Sequence, residues 1–263
     1  MNGTKERRMR RIFGADGKTL IVALDHALSM GPIPGLENPG AVIEQVLEGG
    51  ADAIMTTYGV ASRFAAAIGG AGLILRVDGG VSTLSRERSG LSLLYGARDA
   101  LRLGADGVVC MGFPGSQLEA QTLSSLANLV AQCREWALPV LAEMLPGGFE
   151  DPARWWTAGN IAFACRLGAE LGADVIKTRY TGDPESFRRV VAATYVPIVV
   201  LGGVKTNAVD DLLRMVYGAM QAGAQGAVIG RNIYQHPEPK KVTAALAAIV
   251  HQGATPQEAG ELL

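Results

Sequence analysis

Four times along this chain a glycine is followed by Ala, a polar residue and then a run of β-branched and small apolar residues. The copies are Gly50-Ala51-Asp52-Ala53-Ile54, Gly104-Ala105-Asp106-Gly107-Val108-Val109, Gly172-Ala173-Asp174-Val175-Ile176 and Gly223-Ala224-Gln225-Gly226-Ala227-Val228-Ile229. A glycine at a helix C-terminus adopts the left-handed conformation that ends the helix, and a two-residue turn then feeds a buried parallel strand. Four copies imply repeated βα units.

The other apolar runs complete the pattern. Strands are expected over 20–24, 52–57, 73–78, 107–113, 139–145, 174–180, 197–202 and 226–231. Helices are expected over 40–49, 95–103, 116–137, 153–171, 184–194, 206–222 and 238–251, with a weaker one near 59–68. Eight strands alternating with helices of this length predict a parallel sheet closed into a single (β/α)8 TIM barrel spanning 1–263, with an open doubly wound sheet as the competing architecture. The basic start Lys5-Glu6-Arg7-Arg8-Met9-Arg10-Arg11 lacks the apolar centre of a secretory signal and reads as an N-terminal amphipathic helix.

Composition narrows the partners. Hydrophobic residues make up 48% and charged residues 19% of the 263, and the net charge is −1, so neither nucleic acid nor a membrane surface is expected as the main partner. No apolar run reaches the roughly 20 residues of a membrane span, and a cytoplasmic protein is expected. Cys110, Cys133 and Cys165 are too far apart for a zinc ribbon and odd in number for a disulfide framework, so buried thiols are expected. The three histidines, His26, His236 and His251, supply too few ligands near the barrel mouth for a zinc site, and no metal is expected.

In such a barrel the chemistry sits at the C-terminal ends of the strands. Lys177 lies near the end of the sixth, in Asp174-Val-Ile-Lys-Thr-Arg-Tyr-Thr-Gly-Asp-Pro184, among apolar neighbours that would desolvate its amine and favour the neutral, nucleophilic form. Alternation along a strand puts Val175, Lys177 and Arg179 on one face, and Leu141, Glu143 and Leu145 on one face of the preceding strand. Glu143 therefore points inward beside Lys177, because the other choice buries a carboxylate under helices. A lysine that snorkels to solvent or pairs with Glu143 for structure alone is the plainer reading.

Asp25 and His26 follow the first strand, placed to move protons or merely to brace the loop. Tyr58 and Tyr180 carry hydroxyls that could donate a proton or simply pack. Arg76 and Asp78 share a face of the third strand and are expected to form an ion pair bracing the rim. Gly202-Gly203, then Thr206-Asn207 opening a helix, and Gly230-Arg231 after the last strand form a pattern that admits an anion to backbone N–H groups with an arginine beside it, or else two ordinary tight turns.

Several segments resemble the class I aldolases of the DeoC/FbaB type: Ala23-Leu-Asp-His26, Gly31-Pro-Ile-Pro-Gly-Leu36, Val175-Ile-Lys-Thr-Arg-Tyr-Thr-Gly-Asp183, Gly202-Gly203 and Gly230-Arg-Asn-Ile-Tyr-Gln-His-Pro-Glu-Pro239. The first two are most similar to the heptulosonate-synthase branch, with the archaeal-type fructose-bisphosphate aldolases close behind. The resemblance implies that Lys177 forms an imine with a phosphorylated ketose or a dihydroxyacetone phosphate-like donor, that Asp25 handles protons, and that Gly203, Gly230 and Arg231 hold a phosphate. It also implies a homo-oligomer and no cofactor, since a protonated imine is itself the electron sink.

One segment departs from that family. Where the fructose-bisphosphate and heptulosonate branches carry Tyr-Pro-Arg-Gly after the fifth strand, this chain has Leu145-Pro146-Gly147-Gly148. A leucine transfers no proton, so Glu143 is expected to stand in, with Tyr58 and His26 behind it. Thiolase-like acyl transfer on a phosphorylated ketone, an imine-free sugar-phosphate isomerase or synthase, and a non-enzymatic sugar-phosphate sensor remain the alternatives.

Overall fold

The computed structural model describes residues 3–85, 90–203 and 208–263. Eight parallel strands close into a barrel in chain order: β1 Thr19–Ala23, β2 Ala53–Thr56, β3 Gly72–Arg76, β4 Gly107–Gly112, β5 Val140–Met144, β6 Val175–Thr178, β7 Ile198–Leu201 and β8 Gly226–Ile229, which pairs back onto β1. All eight fall inside the segments expected from the sequence or within one residue of them, and the architecture is the expected closed barrel, not the competing open sheet.

The glycines of the repeated phrase are left-handed as required, with φ of +94° at Gly50, +71° at Gly104, +95° at Gly172 and +101° at Gly223. The aspartates do something the sequence did not suggest. Asp52 Oδ2 accepts the Leu20 N–H at 2.7 Å, Asp106 Oδ2 accepts the Leu73 N–H at 3.1 Å, and Asp174 Oδ2 accepts the Val140 N–H at 2.9 Å. Each ties the start of one strand to the start of the strand before it. The phrase is thus both a helix stop and a strap across the barrel's N-terminal end.

Side chains separate into two cores by the alternation of the strands. Ile21, Met55, Ile74, Val109, Leu141, Val175, Val199 and Val228 fill the barrel, closed at its N-terminal end by Ile12 and Phe13 as the helix Gly3–Ile12 leads into β1. The opposite parity, including Ile54, Cys110, Ala142 and Ile176, packs under the helices. Cys110, Cys133 and Cys165 are buried free thiols, and burial pushes the latter two up to about 12.

Several boundaries differ from expectation. The region 59–68 breaks at Phe64 into the short helices Tyr58–Arg63 and Ala65–Ile68, and 153–171 divides into Pro152–Trp155 and Ala158–Glu170. Asp78–Gly79, read as the end of the third strand, instead pairs antiparallel with Ser92–Leu93 in a small hairpin over the barrel mouth. The helix expected from 206 is seen over Val209–Gln221, while Thr206 and Asn207 lie outside the described residues.

Candidate active site

The strand register sets the centre of the site. Met111 of β4, Glu143 of β5 and Lys177 of β6 are neighbours across the sheet, all on the inward face. The Lys177 Nζ lies 2.8 Å from Glu143 Oε1. Both are buried, so the side-chain parity read from the sequence places this pair inside the barrel as expected.

Arg76, from the end of β3, holds the carboxylates of the site. Its Nε donates to Asp25 Oδ2 at 2.8 Å, its Nη1 to Asp78 Oδ1 at 3.0 Å, and its Nη2 to Glu143 Oε2. With only 4% of Arg76 exposed, removal of its charge would leave three buried carboxylates facing Lys177 alone. The ion pair with Asp78 was foreseen, but the role is larger than a rim brace. Asp78 also accepts the Met111 N–H at 2.8 Å, which fixes the hairpin against β4.

The electrostatics follow from this arrangement. Burial pushes Asp25 up, but Arg76 and Lys177 outweigh it and hold the carboxyl at about 2. Burial likewise opposes ionisation of Glu143, and the charges of Lys177 and Arg76 bring it below its ordinary value. Asp78, the most enclosed of the three, is raised by burial in spite of Arg76. His26 is lowered by burial against the pull of Asp25, which favours its neutral imidazole. Its Nδ1 is 3.7 Å from Asp25 Oδ1, beyond hydrogen-bond reach, and is buried without a partner among the described residues.

Above this centre a cavity of about 440 Å³ opens at the C-terminal ends of the strands. Asp25, His26, Arg76, Glu143 and Lys177 line one part, and Gly202, Gly203, Gly230 and Arg231 line another. Gly203 has φ of +67°, and among the described residues no atom lies within 4 Å of where a Cβ would stand. Gly230 is glycine for a different reason: a Cβ there would lie 2.4 Å from the His26 ring and 2.8 Å from the Ala23 carbonyl. Arg231 donates to the Gly203 carbonyl at 3.3 Å, and Asn232 donates to that of Gly202 at 3.0 Å, so both turns are held.

Two candidates stand elsewhere. Tyr58 begins the helix after β2 and stacks on Tyr95 with ring centroids 4.7 Å apart, outside the cavity lining. Tyr180 packs edge-on against Phe187. Leu145 does line the cavity, and brings no hydroxyl there. Sequence reasoning passed over Trp156, whose ring carries the Arg179 guanidinium at 3.5 Å from its centroid. Parity had placed Arg179 inward with Lys177, but no periodic signal marks Trp156, which lies in the connection between two helices. Among the described residues, no group of three His, Cys, Asp or Glu is placed to hold a metal ion.

A closed (β/α)8 barrel with a lysine and a carboxylate paired inside its C-terminal mouth has the layout of an enzyme of carbonyl chemistry. The sequence matches the DeoC/LacD family of aldolases over residues 19–236, and the chain belongs to that family. A 2-amino-3,7-dideoxy-D-threo-hept-6-ulosonate synthase of Halobacterium salinarum is 37% identical to it over 97% of this chain and 94% of its own. The class 1 fructose-bisphosphate aldolase of Thermoproteus tenax is 33% identical over 92% of this chain and 93% of its own. Among solved structures, an archaeal fructose-1,6-bisphosphate aldolase with its catalytic lysine bound to the carbinolamine intermediate has a TM-score of 0.83 and 32% identity, covering 94% of this chain and 99% of that one. The protein is a class I aldolase, an enzyme of carbon–carbon bond making and breaking.

Proposed function

We propose that Lys177 forms a Schiff base with a phosphorylated ketone or ketose, and that the bond made or broken lies next to the imine carbon. The observation that carries this reading is the Lys177 amine 2.8 Å from the Glu143 carboxylate, inside a cavity also lined by Gly202, Gly203, Gly230 and Arg231. The amine attacks the ketone once a proton has passed to Glu143. The same carboxyl then returns that proton to the departing hydroxyl of the carbinolamine, which leaves as water. The resulting iminium draws electrons from the adjacent bond, which is the role a metal plays in other aldolases.

Asp25, held as a carboxylate by Arg76, is suited to take the proton from the hydroxyl whose carbon becomes the aldehyde during cleavage, and to return it during synthesis. The turns at Gly203 and Gly230 and the Arg231 guanidinium suit a phosphate on the donor. In this reading His26 packs against Tyr234 and shapes the rim as a neutral ring. The chain works as a homo-oligomer, for which light scattering is expected to give a multiple of 27.5 kDa.

Borohydride treatment in the presence of dihydroxyacetone phosphate or fructose 1,6-bisphosphate, followed by mass spectrometry of the digest, tests the imine. A reduced adduct is expected on the peptide containing Lys177, absent from Lys177→Met. No adduct across a broad panel of carbonyl compounds, or an adduct on another lysine, would remove this reading.

A further inference from the structure

The mouth of the cavity is divided by polarity. Arg179, Gly202, Gly203 and Arg231 follow β6, β7 and β8, three consecutive strands, so the cationic part of the lining is one contiguous sector. The described side chains that line the rest of the rim are mostly apolar. Leu28 and Met30 follow β1, Val81 and Leu91 adjoin the hairpin after β3, and Leu145 and Phe149 follow β5. Three of these are left to solvent: Phe149 is 65% exposed, and Leu28 and Met30 are each 41% exposed.

These side chains are held in place. The Phe149 ring meets the buried Phe113 edge-on with centroids 5.3 Å apart. Leu28 is seated against the hairpin, where a Cβ on Gly79 would come within 3.1 Å of it and within 2.9 Å of Leu94. A single exposed leucine is ordinary, but apolar carbon gathered around a cavity that holds a reactive amine is surface that a ligand gains by covering. Position links that surface to the chemistry. Glu143 is the register neighbour of Lys177, and Leu145 lies two residues further along the same face of β5. β1 and β5 stand four strands apart in the ring of eight, so Leu28 and Met30 face Leu145 and Phe149 across the mouth. A hydroxyl placed between those two pairs would leave water and gain no hydrogen-bond partner from their side chains.

Building on the Lys177 imine reading, in which the donor phosphate takes the side of β7 and β8, we infer that the second reactant is an aldehyde with an uncharged apolar substituent. That alkyl or aryl group is seated between Leu145 and Phe149 on one side and Leu28 and Met30 on the other. In the synthetic direction the donor iminium loses a proton from the carbon beside it, and that carbon bonds to the aldehyde carbon. The carbonyl electron pair moves to the aldehyde oxygen, which takes up a proton through Asp25 and becomes a hydroxyl. One proton leaves carbon and one reaches oxygen, and no bond of the apolar substituent changes.

Calorimetric titration of the whole protein with 2-methylbutan-1-ol and with glycerol reads the rim directly. In this pair two methyl groups replace two hydroxyls, and neither alcohol can form an imine. The apolar alcohol is expected to bind roughly tenfold more tightly, as burial of two methyl groups implies. Phe149→Ser combined with Met30→Gln is expected to cut that ratio to about threefold or less, and Phe149→Ser alone to lower it in part, with folding checked by melting temperature. In condensation with dihydroxyacetone phosphate, 2-methylbutanal is expected to exceed glyceraldehyde in kcat/KM by a similar factor. Borohydride trapping of the parent protein with dihydroxyacetone phosphate reads the imine separately. Equal binding of the two alcohols, a preference unchanged in the folded variants, or faster condensation of glyceraldehyde 3-phosphate than of 2-methylbutanal would overturn the inference. A preference that depends on Phe149 and Met30 together with no trapping would instead uphold the apolar subsite and remove the imine reading.

Discussion

At the scale of single residues, Leu145 brings no hydroxyl to the cavity, so the proposed reaction leaves proton transfer at the imine to Glu143. Glu143 touches Lys177 through one oxygen and Arg76 through the other, so it has a proton donor on one side and a fixed cation on the other. Glu143→Gln keeps the shape and loses the base. In single-turnover borohydride trapping, the variant is expected to form the Lys177 adduct about 10²-fold to 10⁴-fold more slowly, the range typical of a lost general acid or base. An ion pair with only a structural role would lower the melting temperature and leave the trapping rate of the folded protein unchanged. The inward parity of Glu143 and Lys177 was legible from their sequence alone, because burying a carboxylate under helices is the costly choice. The reach of Arg76 was not: Asp25 and Glu143 lie 51 and 67 residues away, and only barrel closure brings them to it.

At the scale of elements, the repeated Gly-Ala-Asp phrase shows how much a local signal can specify. Its glycine marks each helix end because only a left-handed residue turns the chain back into the sheet. The aspartate was silent in sequence because its acceptor role depends on the neighbouring strand. Asp106 is the clearest case, buried against the Leu73 N–H at 3.1 Å with the Arg11 guanidinium also at 3.1 Å. Asp106→Ala leaves that N–H without a side-chain acceptor and is expected to cost about 1–3 kcal/mol in urea unfolding. The rate of Lys177 trapping should hold, since Asp106 precedes β4 at the end of the barrel opposite the cavity. A fall in trapping with no loss of stability would mean that the straps shape the site rather than the scaffold. The hairpin of Asp78–Gly79 with Ser92–Leu93 escaped notice for a related reason: two-residue strands carry no periodicity, and Asp78 read naturally as the end of β3.

Over the whole molecule, the N-terminal end of the barrel is sealed by apolar side chains and straps, while the C-terminal end gathers buried charge, and this division sets the response to acid. Asp25 is depressed from 3.8 to about 2 by Arg76 and Lys177 after its burial is overcome. A carboxyl with a lowered folded pKa releases its proton more readily folded than unfolded, so its contribution is present above pH about 4 and is lost as pH falls toward about 2. The contribution is on the order of 2 kcal/mol. Asp78, raised by burial, acts with the opposite sign, and His26, lowered by burial, disfavours the fold as pH falls below its ordinary value. Both groups remain in Asp25→Asn, so the difference between parent and variant isolates Asp25 to first order. Urea unfolding at a series of pH values is expected to show the parent ahead above pH 4, with the advantage shrinking steadily toward pH 2. An advantage that stays constant across that interval would mean that Asp25 is not the carboxylate Arg76 stabilises, and that acid acts on the fold through Glu143 instead.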